Sequence, residues 1–170
     1  YLPLPILGHS MGGKVAMQLV HDFPDSFKKM IVVDIAPKLY ESSHTPIFDA
    51  MTELPINTIS SLREAFTFLN EQLNDDALSY FLLKNLSVKE GSVHWKINLT
   101  SLIKNYPHIL DAPKFATTIN TPSLFIRGLQ SDYIQDSDKN IIRDTFIASS
   151  FIDIDNAGHW VHAQKPDIVV

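Results

Sequence analysis

The chain has 170 residues, 45% of them hydrophobic and 19% charged, which is enough for a folded domain with a real core and excludes a disordered chain. A net charge of −5 without any basic block argues against a nucleic-acid partner. The absence of cysteine removes disulfides, thiolate chemistry and cysteine–zinc sites and fits a cytoplasmic setting, while no apolar run approaches the ~18 residues of a membrane span. The chain opens on Tyr1, close to the motif described next, and closes on Pro166-Asp167-Ile168-Val169-Val170, which reads as the start of a helix. It is therefore expected to be part of a longer polypeptide, and the lack of a signal peptide carries no weight.

In chain order, Pro3 to Leu7 reads as a buried strand and Lys14 to Val20 as a helix that stops near Pro24. Between them lies Gly8-His9-Ser10-Met11-Gly12, a G-x-S-x-G pattern in the strand–turn–helix setting of a nucleophile elbow. Gly8 and Gly12 are expected to leave out side chains where the turn is tight, with Gly13 giving further room. Met30 to Ile35 is a second, unbroken apolar strand of the kind covered on both faces. The character then changes. Thr45 reads as an N-cap before Pro46, and Ser61 with Glu64 as a capping box. Leu62, Phe66, Leu69 and Leu73 form one helical stripe, and Leu78, Phe81, Leu82 and Leu86 another. Ser92 to Leu99 suits a short extended piece around Trp95, and Leu102 to Leu110 a helix interrupted at Pro107. The sheet resumes at Pro122 to Arg127. A helix over 138–148 points Ile141, Ile142 and Phe146 inward, and Ser150 to Ile154 is the fourth strand. This alternation predicts an α/β chain with a mostly parallel sheet, interrupted by a helical insertion read as a cap over the active site.

The chemistry follows from three residue types. Ser10, exposed at the elbow, is the expected nucleophile, and the Met11 N–H at the start of a helix is the expected oxyanion donor. His159 lies in Asn156-Ala157-Gly158-His159-Trp160, just past the last strand, where its Nε2 can take the serine proton. Two carboxylates compete for the third position. Asp132 follows the third strand, the usual acid position of such a fold, and Asp34 ends the second strand, 24 residues after Ser10. Either one fixes the imidazole tautomer by meeting its Nδ1. His9 and Trp160 are candidate substrate contacts. His162, three residues after His159, lacks partners at ligand spacing and is expected to support the loop by hydrogen bonding, so no metal and no organic cofactor is called for.

Gly-His-Ser-Met-Gly-Gly-Lys (8–14), Val-Val-Asp-Ile-Ala-Pro (32–37), Tyr-Pro-His-Ile (106–109) and Ala-Gly-His-Trp-Val-His-Ala-Gln-Lys-Pro (157–166) together resemble the YbfF-like esterases of the α/β-hydrolase fold. The resemblance spans essentially the whole chain. It implies a partial α/β-hydrolase core, residues 1–37 and 114–170, carrying the last four strands, and a helical cap over 38–113. It implies a serine carboxylesterase acting on small to medium acyl esters, with acyl-CoA thioester hydrolysis as the alternative, and small-molecule substrates without nucleic acid or membrane. By position it carries the nucleophile to Ser10, the base to His159 and the acid to Asp34. It also implies that an earlier loop, which gives the second oxyanion N–H, lies outside this chain, and that the isolated chain is unstable or inactive. Lys14 and Lys38 are the candidates for the phosphate contacts that a CoA thioester needs. The rival from another class is a non-catalytic binding protein on the same fold.

Overall fold

A computed structural model describes residues 2–169. The chain runs through β1 (Leu4–His9), α1 (Met11–Asp22), a 3₁₀ turn at Pro24–Ser26, β2 (Phe27–Val33), α2 (Thr45–Glu53), α3 (Leu62–Leu73) and α4 (Asp76–Leu83). It continues through β3 (Leu86–Lys89), β4 (Ser92–Trp95), α5 (Leu99–Leu110), β5 (Ser123–Gly128), α6 (Asp138–Thr145), β6 (Ser149–Ile154), α7 (Val161–Gln164) and α8 (Pro166–Val169). It divides into two compact units, one formed by residues up to Tyr40 with those from Asp111 onward, the other by Glu41–Leu110.

The first unit is an α/β layer built on a parallel sheet in the order β1-β2-β5-β6. Because the strands are parallel, His9, Val33, Gly128 and Ile154 all end at one edge, and the loops that follow them emerge together. Alternation along the strands splits the core in two. Val32 and Phe125 face one side, with Ala16, Met17 and Val20 of α1, Ile142 of α6 and Phe146 just after it. Val33, Ile126 and Ile154 face the other side, with Ala157 and Val161. Ile142 and Phe146 are fully buried, whereas Ile141 is 45% exposed. The helix ends at Thr145 and turns Ile141 outward, one position off the expected face.

β1 departs from the reading of a buried strand. Among the described residues it pairs with β2 alone, and Leu4 and Leu7 are 64% and 61% exposed. The unit also claims residues at both crossings of the insertion. The Tyr40 hydroxyl donates to the Tyr133 carbonyl at 2.6 Å, Lys38 Nζ pairs with Asp138 at 2.6 Å, and Lys14 Nζ donates to the Asp111 carbonyl at 2.7 Å. These bonds place the division at 41 and 110 rather than at 38 and 113.

The second unit packs Ala50, Met51, Leu54, Ala65, Leu69, Leu82, Leu86 and Val93 into its own core. His44 rather than Thr45 is the N-cap of α2, which puts Pro46 in the first turn where its missing N–H costs nothing. Ser61 caps α3 through the Glu64 N–H, but the Glu64 carboxylate returns to the Ser60 N–H, so the box closes one residue early. The buried stripe of α3 is Ala65 and Leu69, with Phe68 beside them, while Leu62 is exposed. Leu86 does not extend α4. It opens a hairpin in which it pairs with Trp95, closed by Glu90 and Gly91 at φ 50° and 75°. Two left-handed residues match the twist of a two-residue hairpin turn. α5 runs on through Pro107, which sits only one turn from its end.

Candidate active site

The elbow is assembled by steric necessity. A Cβ on Gly8 would collide with the main chain of Gly12 and lie 2.6 Å from Gly13 N, and one on Gly13 would lie 2.5 Å from Ile35 Cγ2. Gly12, in contrast, faces open space, so its missing side chain is not what tightens the turn. Ser10 itself sits at φ 53°, a conformation that a non-glycine residue holds only where its surroundings dictate it. Its N–H donates to the Val33 carbonyl at 3.0 Å, and its own carbonyl accepts from Gly13 N–H at 2.8 Å. The sheet ladder fixes the backbone on one side and the helix on the other. Met11 is the first residue of α1, where a backbone N–H has no intrahelical acceptor and lies at the positive end of the helix.

Asp34 repeats this pattern one strand over. It follows β2, also has φ 53°, and its N–H donates to the Ile126 carbonyl at 2.8 Å. Its side chain is fully buried. Oδ1 accepts from Gly128 N–H at 3.2 Å, and Oδ2 accepts from the Ser131 hydroxyl and from His159 Nδ1–H, the latter at 2.9 Å. Three donors compensate the burial of one carboxylate. Since a carboxylate only accepts, Nδ1 of His159 carries the hydrogen, and Nε2 is left as an acceptor. Nε2 lies 2.9 Å from Ser10 Oγ. A continuous hydrogen-bonded chain thus runs from Ser10 through His159 to Asp34.

Asp132 is exposed in the turn after β5, and no hydrogen bond joins it to the imidazole among the described residues. Of the two competing carboxylates it is Asp34 that reaches Nδ1, because β2 lies next to β1 and ends level with it. Trp160 is 42% exposed and flanks the His159 ring at 6.0 Å. His9, expected at the substrate, has its Nε2 on the His159 carbonyl at 2.8 Å and is half-buried among aromatic rings. His162 meets its neighbours by ring packing, 4.8 Å from His9, and the hydrogen bond that supports the loop comes instead from Gln164, whose Oε1 accepts from Gly158 N–H at 2.7 Å. Among the described residues no group of three or more His, Cys, Asp or Glu side chains is arranged to hold a metal ion. Lys14 and Lys38 both direct their ammonium groups inward, to the Asp111 carbonyl and to Asp138, and both lie over the Tyr40 ring. Burial lowers the Lys14 pKa to about 8.

Two residues of this region were missed by the sequence reading. Ser131 donates to Asp34, and the Tyr133 ring stacks on the His159 imidazole with centroids 3.8 Å apart and planes within 18°. Both sit in the loop that carries Asp132. The loop is pinned by Gln130 N–H to the Ala157 carbonyl at 2.8 Å and by the buried Arg127, which pairs with Asp153 and Asp136. The signal for them in the sequence is the Gly-x-x-Ser-x-Tyr segment, residues 128–133, that follows an apolar strand.

Comparison with known proteins agrees with this architecture. The family model described as "alpha/beta hydrolase fold" matches residues 3–166. The chain is 35% identical over 166 residues to a putative esterase/lipase of Haemophilus influenzae, covering 97% of this chain and 57% of that protein. It is 34% identical to esterase YbfF of Escherichia coli, covering 96% of this chain and 63% of that one. The solved structure of a marine microorganism esterase superposes with a TM-score of 0.94 at 38% identity, over 99% of this chain and 67% of that chain. The chain thus spans between 57% and 63% of the length of these two curated relatives. Among the described residues no helix is long and apolar enough to cross a membrane. By the extent of the family match and the identity to these relatives, the chain belongs to the α/β-hydrolase fold family.

Proposed function

We propose that the protein is a serine carboxylesterase in which Ser10 is the nucleophile, His159 the general base and Asp34 the acid of the triad. The observation that carries the reading is the unbroken chain Ser10 Oγ–His159–Asp34, with both bonds to the imidazole at 2.9 Å. The esterase names of its relatives support the substrate class.

In this mechanism His159 Nε2 takes the Ser10 proton as Oγ attacks the acyl carbon. Negative charge gathers on the carbonyl oxygen and is met by the Met11 N–H. The imidazolium is stabilised by Asp34 and returns its proton to the leaving alcohol. Water then attacks the acyl-serine, giving a proton to His159 Nε2, which passes it to Ser10 Oγ as the acyl–serine bond breaks and the acid departs. Small to medium acyl esters are the proposed substrates, and the inserted helical unit is assigned the cap role, choosing among acyl groups. The inward engagement of Lys14 and Lys38 gives no support to the thioester alternative.

The test is hydrolysis of p-nitrophenyl esters by the full-length protein, with Ser10→Ala as control and a phosphonate probe as a second readout. Turnover that disappears in Ser10→Ala, with probe labelling mapped to Ser10, supports the reading. A folded protein that neither turns over esters nor takes up the probe points to a binding role and sinks it.

A further inference from the structure

We propose that His9 is a positioning residue for the general base: from the strand that carries the nucleophile, it holds the main chain of His159 and so sets the approach of His159 Nε2 to Ser10. The inference rests on the Ser10–His159 assignment above.

His9 is the last residue of β1 and is paired with Val33 of β2, so its backbone is as fixed as the sheet. Its side chain reaches across 150 residues of sequence to the His159 carbonyl at 2.8 Å. A carbonyl oxygen only accepts, so the Nε2 of His9 carries the hydrogen. The ring then packs 4.7 Å from the His159 imidazole, 5.4 Å from Trp160 and edge-on to His162 at 4.8 Å. The loop between β6 and α7 is held at Ala157 by Gln130 and at Gly158 by Gln164. The bond from His9 ties the base itself to the residue preceding the nucleophile.

This geometry has a catalytic consequence. Oγ and Nε2 belong to distant segments, and their separation is an outcome of how each segment is anchored. A misplacement of about 1 Å costs on the order of 10²-fold in rate. The charge state of His9 suits the task. Burial lowers its pKa, with the charges of His159 and His162 acting the same way and the backbone bond and Asp34 opposing. A neutral His9 leaves His159 as the group that becomes cationic during turnover. If His9 instead contacted substrate, its loss would appear in KM.

The experiment compares His9→Phe, which keeps a ring without the donor, with His9→Gln, which keeps a donor of similar reach without the ring. Ester hydrolysis by the full-length protein is resolved into kcat and KM, with Ser10→Ala alongside. The expected result is a kcat about 10- to 100-fold lower in His9→Phe at nearly unchanged KM, with most of the loss restored in His9→Gln. Should His9→Phe fail to fold, His9→Asn takes its place, because its shorter amide does not span the distance. Wild-type kcat in His9→Phe, a rise confined to KM, or equal defects in the Gln variant and its donorless counterpart each overturn the inference while leaving the esterase assignment intact. Full activity in Ser10→Ala removes that assignment and this inference together.

Discussion

In the α/β unit, Ser10, Asp34 and Asn156 have positive φ, and each lies just past the end of a parallel strand. In the helical unit Asn74, Glu90 and Gly91 have it, and they close a helix and turn a hairpin. The second set serves only connection: a left-handed residue is the shortest way to end a helix or reverse a strand. The first set serves presentation. At Ser10 and Asp34 the backbone stays tied to the sheet ladder while the side chain is aimed along the sheet edge. The same backbone conformation is therefore informative about chemistry only when a strand end and a polar side chain coincide with it.

Substitutions at the two sets sharpen or break that contrast. Ser10→Ala has the largest expected effect, a loss of at least about 10³-fold in ester hydrolysis in the full-length protein with the fold retained by circular dichroism. Asp34→Asn is next, with a loss of about 10²–10⁴-fold from misorientation of the imidazole. Asp132→Asn should stay within about threefold of wild type, as befits an exposed turn residue. Equal losses at both aspartates in steady-state kinetics would break the assignment of the acid. Gly8→Ala is expected to destabilise the fold by about 3 kcal/mol or more, because the added methyl meets backbone rather than a movable side chain. Gly12→Ala, in open space at the start of a helix, should be neutral or slightly stabilising. Thermal melts of the pair decide between them. In the helical unit, Glu90→Gly should stabilise by about 0.5–1 kcal/mol, since glycine holds the left-handed turn without strain. A stability loss there would show that the Glu90 side chain does more than turn the chain.

The smallest effect is electrostatic. Lys14 is held at about 8 against its usual 10.5, so between those values the unfolded chain binds more protons than the folded one. Stability should therefore rise with pH from about 8 to 10.5, and Lys14→Met should flatten that rise in denaturant titrations at stepped pH.

Much of this arrangement was legible beforehand, for reasons that can be named. The strands of the sheet announce themselves as apolar runs, and the elbow by its glycines and the strand–helix switch around them. The hairpin was not legible, because Leu86 continues the i+4 spacing of Leu78 and Leu82 and so reads as one more helical turn. What separates the two readings is the Glu90-Gly91 turn, whose meaning depends on a pairing partner. Pro107 misled in the opposite sense: the helix forgoes the bond that a residue-107 N–H would make to the Ile103 carbonyl and still runs three residues further. Which aspartate meets the imidazole was undecidable from spacing, since Asp34 and Asp132 both follow strands. The choice lies in strand order, with β2 beside β1, which no local pattern encodes. His9 shows a last limit, as its partner is 150 residues away and is a carbonyl, which every residue has.

The order of the three groups along the chain bears on how the protein is made. Ser10 and Asp34 lie within one strand–helix–strand segment, but His159 follows Asp34 by 125 residues. At about 5–20 residues per second, a ribosome needs roughly 6–25 s to bridge that interval. For that time the nascent chain holds Ser10 and Asp34 without the imidazole that joins them. The hydrogen-bonded chain is complete only once β6 has docked beside β5 and the loop after it has brought His159 to the sheet edge.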